Sequence, residues 1–307
     1  MNDLILHHYA LSPYSEKVRA MLGYTRLSWQ SAITPEMPPR PVIDALTGGY
    51  QRIPVAQLGA DVFCDTHLIS QEIARLSGQS QLDPANETDA ERAFVKDTEN
   101  AFFALVMAAS SLSLTWKALK ALNPIGLARL MWDRMDMGKQ ARVRLTHPLK
   151  ATDEARAYLQ KVEDQLASSG SDFLFGDTPH HADFAAYHGL WMVRDVGERN
   201  FVRKYPRVMN WMNRIRDFGH GLVTEISGED ALMIARDAQP RDIAPEATDD
   251  PMVGQRVRIS PTDYRLSPSE GTLVGSLPDR LILAREHAQT GLVHVHFPRE
   301  GYALSAV

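Results

Sequence analysis

Cysteine is nearly absent: Cys64 stands alone in a chain of 307 residues. No internal disulfide and no multi-cysteine metal site can form from it, and the expectation is a reducing compartment, the cytoplasm. An excess of basic charge is also missing. Against 38 Asp plus Glu there are 33 Lys plus Arg, a net charge of −5, and no compact basic cluster interrupts the chain. The electrostatic footprint of a nucleic-acid binder is therefore lacking. Long apolar runs are lacking too. The longest uncharged stretch, residues 100–116, carries four hydroxyl side chains and falls short of the ~20 apolar residues that cross a bilayer. It reads as a buried core helix, and no membrane partner is expected. The start, Met1-Asn2-Asp3-Leu4, has neither the basic stretch nor the apolar core of an export signal. There is no internal repeat and no low-complexity tract.

What is present suffices for a sizeable core, with 44% hydrophobic residues and a length of about two domains. Residues 1–78 alternate in character: an apolar run at 4–9, a helical stretch at 14–23, a strand at 29–33, a Pro-rich loop at 35–41, strands at 53–58 and 61–64, and a helix opened by Thr66. The order β-α-β-α-β-β-α predicts an α/β unit. After a polar stretch at 79–88, helical periodicity predicts an all-helical domain over 89–237, with helices at 89–121, 152–168, 181–196 and 206–218. In the last, Val208, Trp211, Met212 and Ile215 fall on one helix face. A linker holding Pro240, Pro245, Asp249, Asp250 and Pro251 leads to short β runs at 254–259, 271–277, 280–285, 292–297 and 302–307. These predict a small all-β, barrel-like accessory domain over 252–307.

Three local features carry chemistry when taken together. Ser12-Pro13 sits where a strand hands over to a helix, with the serine suited to cap it and the proline to its first position. Ile53-Pro54 heads a strand 42 residues after Ser12, and Asp65-Thr66 opens a helix 11 residues after Pro54. With this spacing the chain resembles the glutathione transferase superfamily over roughly residues 1–220. Gly176-Asp177-Thr178-Pro179-His180-His181-Ala182-Asp183 and the pair Tyr205-Pro206 with Trp211 are similar to that family's helical half. His180 stands where the family places a capping hydroxyl, which leaves a capping box with only its acidic half, Asp183.

The resemblance implies a thioredoxin-like domain followed by an all-helical one, and glutathione as co-substrate. It implies that Asp65 pairs with the ammonium of the γ-glutamyl end, while the Thr66 hydroxyl and helix-start N–H groups hold its carboxylate. The backbone of Ile53, before Pro54, would pair with the cysteinyl part like an added strand. Ser12 would then donate a hydrogen bond to the glutathione sulfur, lowering its pKa from about 8.5 so that the thiolate attacks a small hydrophobic electrophile. Arg40 and Arg52 are candidates for the glycyl carboxylate or else surface charges. A homodimer is expected from the resemblance.

Several assignments compete. Tyr9, three residues before Ser12, is the second candidate for thiolate donor or else a wall residue. Ser15 caps or packs. Cys64 reads as a small core residue rather than a redox centre, and no Cys-x-x-Cys occurs. His294 and His296 share one face of a strand but make a weak metal site without a third ligand, so no metal is expected. Phe103, Met107, Ser111 and Trp116 are candidate walls for the electrophile or helix-bundle core. A non-catalytic binding or dimerisation module, its purpose carried by the β segment, is the alternative to an enzyme.

Overall fold

Ser12 caps the first helix as its sequence demands. In the computed structural model, which describes residues 3–110, 116, 119, 120, 124–142 and 146–307, strand β1 (Leu4–His8) ends at a turn into α1 (Pro13–Thr25). The Ser12 hydroxyl accepts the Ser15 N–H at 3.2 Å, and Pro13 occupies the first turn, where no N–H is needed. Strand β2 (Ser28–Ile33) returns parallel to β1; after α2 (Pro41–Thr47), strands β3 (Val55–Leu58) and β4 (Asp61–Cys64) add antiparallel on the other side. Helix α3 (Thr66–Ser77) closes the unit, and the expected order is found.

The helical half contains α4 (Asp89–Ala108), α5 (Pro124–Gln140), α6 (Pro148–Ser169), α7 (His181–Trp191) and α8 (Pro206–Asp217). The helix expected over 89–121 is described as α4, and its last part lies outside the described residues. The face of α8 carrying Val208, Trp211, Met212 and Ile215 is fully buried against α7, α6 and α1 in one core that includes Leu6, Met21 and Leu22. Asp183 organises this region. Its carboxylate accepts the N–H groups of Leu174 (2.9 Å), His180 (2.9 Å) and the Trp211 indole (2.8 Å), while the His180 ring pairs with Glu91 at the start of α4. The incomplete capping box is thus compensated by tertiary contacts.

Two expectations about architecture are corrected. The segment 89–237 is not helical to its end, because Leu222–Ile226 forms β5, which pairs parallel to β2 at the edge of the sheet before α9 (Gly228–Asp237) crosses back. Backbone crowding explains the glycines there. A Cβ on Gly23 would lie 2.0 Å from the Gly219 carbonyl oxygen, and Gly221 takes φ +75° as the chain enters β5.

The second correction concerns the barrel. Strands β6 (Arg256–Pro261), β7 (Ser269–Ser276), β8 (Arg280–His287), β9 (Gly291–Pro298) and β10 (Tyr302–Ala306) do not close on themselves. They continue the first sheet through a parallel β4–β9 pairing, giving ten strands in the order β10-β6-β7-β8-β9-β4-β3-β1-β2-β5. Roughly 56 residues make only a marginal core by themselves. Val257, Ile259, Leu283, Val295 and Phe297 instead share a core with Ile43 and Leu46 of α2 and with Val55, Val62 and Cys64. The junction is also polar: buried Asp61 accepts from the His296 ring at 2.8 Å and pairs with Arg241.

Candidate functional site

At the start of α1, Ser12 is 1% exposed. Its oxygen accepts from Ser15, which leaves the hydroxyl proton to be donated at the positive end of the helix. Tyr14, in the first turn, packs at a tilt on Phe102 (ring centroids 4.7 Å apart) and on His188 (5.0 Å). Burial pushes its phenol well up, so it stays protonated. Tyr9 packs instead on the core around α2 and β3.

The start of α3 lies against the same helix. Asp65 caps it from a left-handed backbone, φ 77°, with Oδ1 accepting the His67 N–H at 3.0 Å. Such a conformation is uncommon outside glycine and is held here by the carboxylate's own contacts. Thr66 Oγ1 accepts from Lys17 Nζ at 3.4 Å, so α1 and α3 present their N-terminal ends to one place, with a buried cation between them. Burial pulls the Lys17 pKa down, opposed by the carboxylates of Asp65, Glu99 and Glu87. Next to it is a cavity of about 40 Å³, lined by Tyr14, Lys17, Thr66, Glu99, Phe102 and His188; that is room for about one water. The Ile53–Pro54 bond is cis, and both residues are buried.

The β segment reaches this same site, which its sequence did not announce. The Tyr302 hydroxyl donates to Asp65 Oδ2 at 3.0 Å and lies 3.1 Å from that of Tyr50. Arg52 forms an ion pair with Asp263 and donates to the Tyr264 carbonyl; its guanidinium lies 4.0 Å above the Tyr264 ring. Tyr264 in turn meets Tyr14 and packs edge-on to Phe103 at 6.2 Å. Arg40 is placed otherwise. It is buried and donates to the carbonyls of Pro35 (2.8 Å), Glu36 (2.7 Å) and Gln51 (2.6 Å), which makes it a clamp on the loop before α2.

Residues 6–81 match the glutathione S-transferase N-terminal domain and residues 118–214 the C-terminal domain. The crystal structure of a GST-like protein from Pseudomonas syringae is 32% identical, with a TM-score of 0.78, and the match covers 100% of both chains. The chain belongs to the glutathione S-transferase family. FzlA from C. crescentus is more distant, at 23% identity and a TM-score of 0.44 over 70% of this chain and 88% of its own. A glutathione S-transferase from Rhodospirillum rubrum F11 gives 18% and 0.47 over 69% and 87%. No curated protein sequence matches.

For this family member, strands β5 to β10 fall outside both matched domains. Of the expected site residues, Ser12, Ile53, Pro54, Asp65 and Thr66 gather at the ends of α1, β3 and α3, and Arg52 joins them through Tyr264. Lys17, Asp263, Tyr264 and Tyr302 were missed. None of the four had a local signal: a residue beside a buried one on a helix points about 100° away from it, and the burial of Lys17 shows only in the fold. Of the expected walls, Phe103 lies against Tyr264, whereas Met107 and Trp116 are exposed and Ser111 lies outside the described residues. Cys64 is buried in β4, and burial pushes its thiol up, as befits a core residue. Among the described residues, no helix is long and apolar enough to cross a membrane.

Proposed function

We propose that this chain is a glutathione transferase that joins the glutathione thiolate to a small hydrophobic electrophile, acting as a homodimer in a reducing compartment. The observation that carries the reading is the convergence of two helix N-termini. Ser12 and Thr66 each accept one protein N–H and so retain a hydroxyl proton, one for a sulfur and the other for a carboxylate, with Lys17 between them. Asp65 is the acid for the γ-glutamyl ammonium, and the Ile53 backbone flanks the cysteinyl part. The Ser12 hydroxyl and the α1 dipole favour the thiolate, whose proton leaves to water. The sulfur bonds to the electrophilic carbon, and the leaving group departs with its electron pair.

Calorimetry with glutathione tests binding, and conjugation to a chloronitrobenzene tests turnover. Asp65→Ala is expected to weaken binding by about 1.5–3 kcal/mol, as for loss of a charge-assisted hydrogen bond. No heat at millimolar glutathione would sink the reading. Two contacts favour a second reading, a non-catalytic module: Tyr302 already engages Asp65, and Asp263 already engages Arg52. Binding without turnover would point that way. Light scattering decides the dimer.

A further inference from the structure

Residues 262–268 join β6 to β7 and lie across the junction of all three parts of the fold. The Asp263 carbonyl accepts the Arg142 N–H at 2.6 Å, Arg265 pairs with Asp133 of α5 at 2.6 Å, and Tyr264 packs on Phe103 of α4. Beneath them, Arg52 is 11% exposed and Asp263 is 36% exposed. A guanidinium so buried is costly to leave unpaired, and Asp263 supplies the carboxylate that it needs.

The contacts of the β segment imitate a ligand. Asp65, read above as the partner of an ammonium, receives a hydrogen-bond donor from Tyr302, and Arg52, a candidate partner of a carboxylate, receives a carboxylate from Asp263. The two are held differently. Tyr302 is buried in β10 and bonded to Tyr50, so it is a fixed wall. Asp263 lies on a loop with its side chain open to solvent on one side, so its carboxylate can swing away from Arg52 without any strand moving.

Resting on the glutathione reading, we infer that Asp263 is an internal competitor for Arg52, displaced when the glycyl carboxylate of the ligand takes its place. The exchange of one carboxylate for another keeps Arg52 paired throughout. It also lowers the apparent affinity by the fraction of molecules in which Asp263 holds the arginine. Asp263 thereby sets both the affinity for the ligand and the requirement for a free carboxylate at its glycyl end.

The test compares wild type and Asp263→Asn in calorimetry with glutathione and with its glycyl monoethyl ester, and follows amide exchange over residues 262–267. The variant is expected to bind glutathione about tenfold more tightly, the equivalent of ~1.4 kcal/mol, and to gain nothing for the ester. In the wild type, glutathione is expected to speed exchange over 262–267 as the loop is released. Unchanged glutathione affinity in Asp263→Asn, or a loop that exchanges no faster with glutathione bound, overturns the inference while leaving the transferase reading standing. Failure of both proteins to bind glutathione overturns the two together.

Discussion

Ser12 and Tyr9 lie three residues apart, yet only the serine caps a helix, while the tyrosine packs into the core around α2. Under the proposed function, that difference favours Ser12 as the donor to a ligand sulfur at the positive end of α1. Ser12→Ala is expected to raise the pKa of the bound thiol by about one unit, so that conjugation at pH 6.5 falls about tenfold and recovers above pH 9. Tyr9→Phe is expected to leave the profile in place. Thiolate absorbance titrated in both variants is the measurement, and a shift in the tyrosine variant alone would transfer the role. Asp65 and Thr66 illustrate the same scale. The pair was readable in the sequence through the family resemblance, but the positive φ of Asp65 and the hydroxyl of Tyr302 that donates to its carboxylate were not.

Single elements carry buried histidines whose burial sets a pH limit. In β1, burial pushes His7 down to about 4 and His8 down to about 3, the latter helped by the Arg19 guanidinium; in α7, burial pushes His188 down to about 3. In the unfolded chain all three would take up protons near pH 6.5. As pH falls from 6.5 toward 4 the unfolded state binds more protons than the folded state, so stability is lost on acidification and fully present above about pH 7. The expected loss between pH 7.5 and pH 5 is about 1–2 kcal/mol for each histidine. Urea denaturation at the two pH values measures it, and equal stability at both would mean that these rings ionise without unfolding. Sequence alone placed His7 and His8 on opposite faces of a strand. It did not show that both faces are covered, by α9 on one side and by α1 and the helical half on the other.

The whole molecule is one continuous sheet with helices packed on it, and this changes what removal of the C-terminus should do. Pattern reasoning treats 252–307 as an accessory domain that a cut near Asp249-Asp250-Pro251 would remove without harm. In the fold, the cut strips β4 of β9, bares Val55, Val62 and Cys64, and takes His296 from Asp61, Asp263 from Arg52 and Tyr302 from Asp65. An unpaired buried edge and an exposed apolar face favour aggregation. A 1–248 truncation is therefore expected to be insoluble or to melt far below the full chain, with no conjugation activity. A soluble, cooperatively melting and active 1–248 protein, checked by calorimetric melting and turnover, would show the β segment to be dispensable.

Periodicity, caps and the Pro, Gly and hydroxyl residues at turns act over a few neighbours, so the sequence by itself determined the order of elements through α3, the α1 cap, the buried face of α8 and the five C-terminal strands. Ser12, Pro54, Asp65 and Thr66 stand out in the sequence only through the family resemblance that their spacing carries, since spacing alone does not bring residues together in space. Which strand lies beside which is another matter. The β4–β9 and β2–β5 pairings, the open rather than closed sheet, and the meeting of Asp263, Tyr264 and Tyr302 with residues some 200 positions earlier are decided only when distant apolar faces find a common core. Burial sums over the whole chain, and no local window of sequence contains that sum.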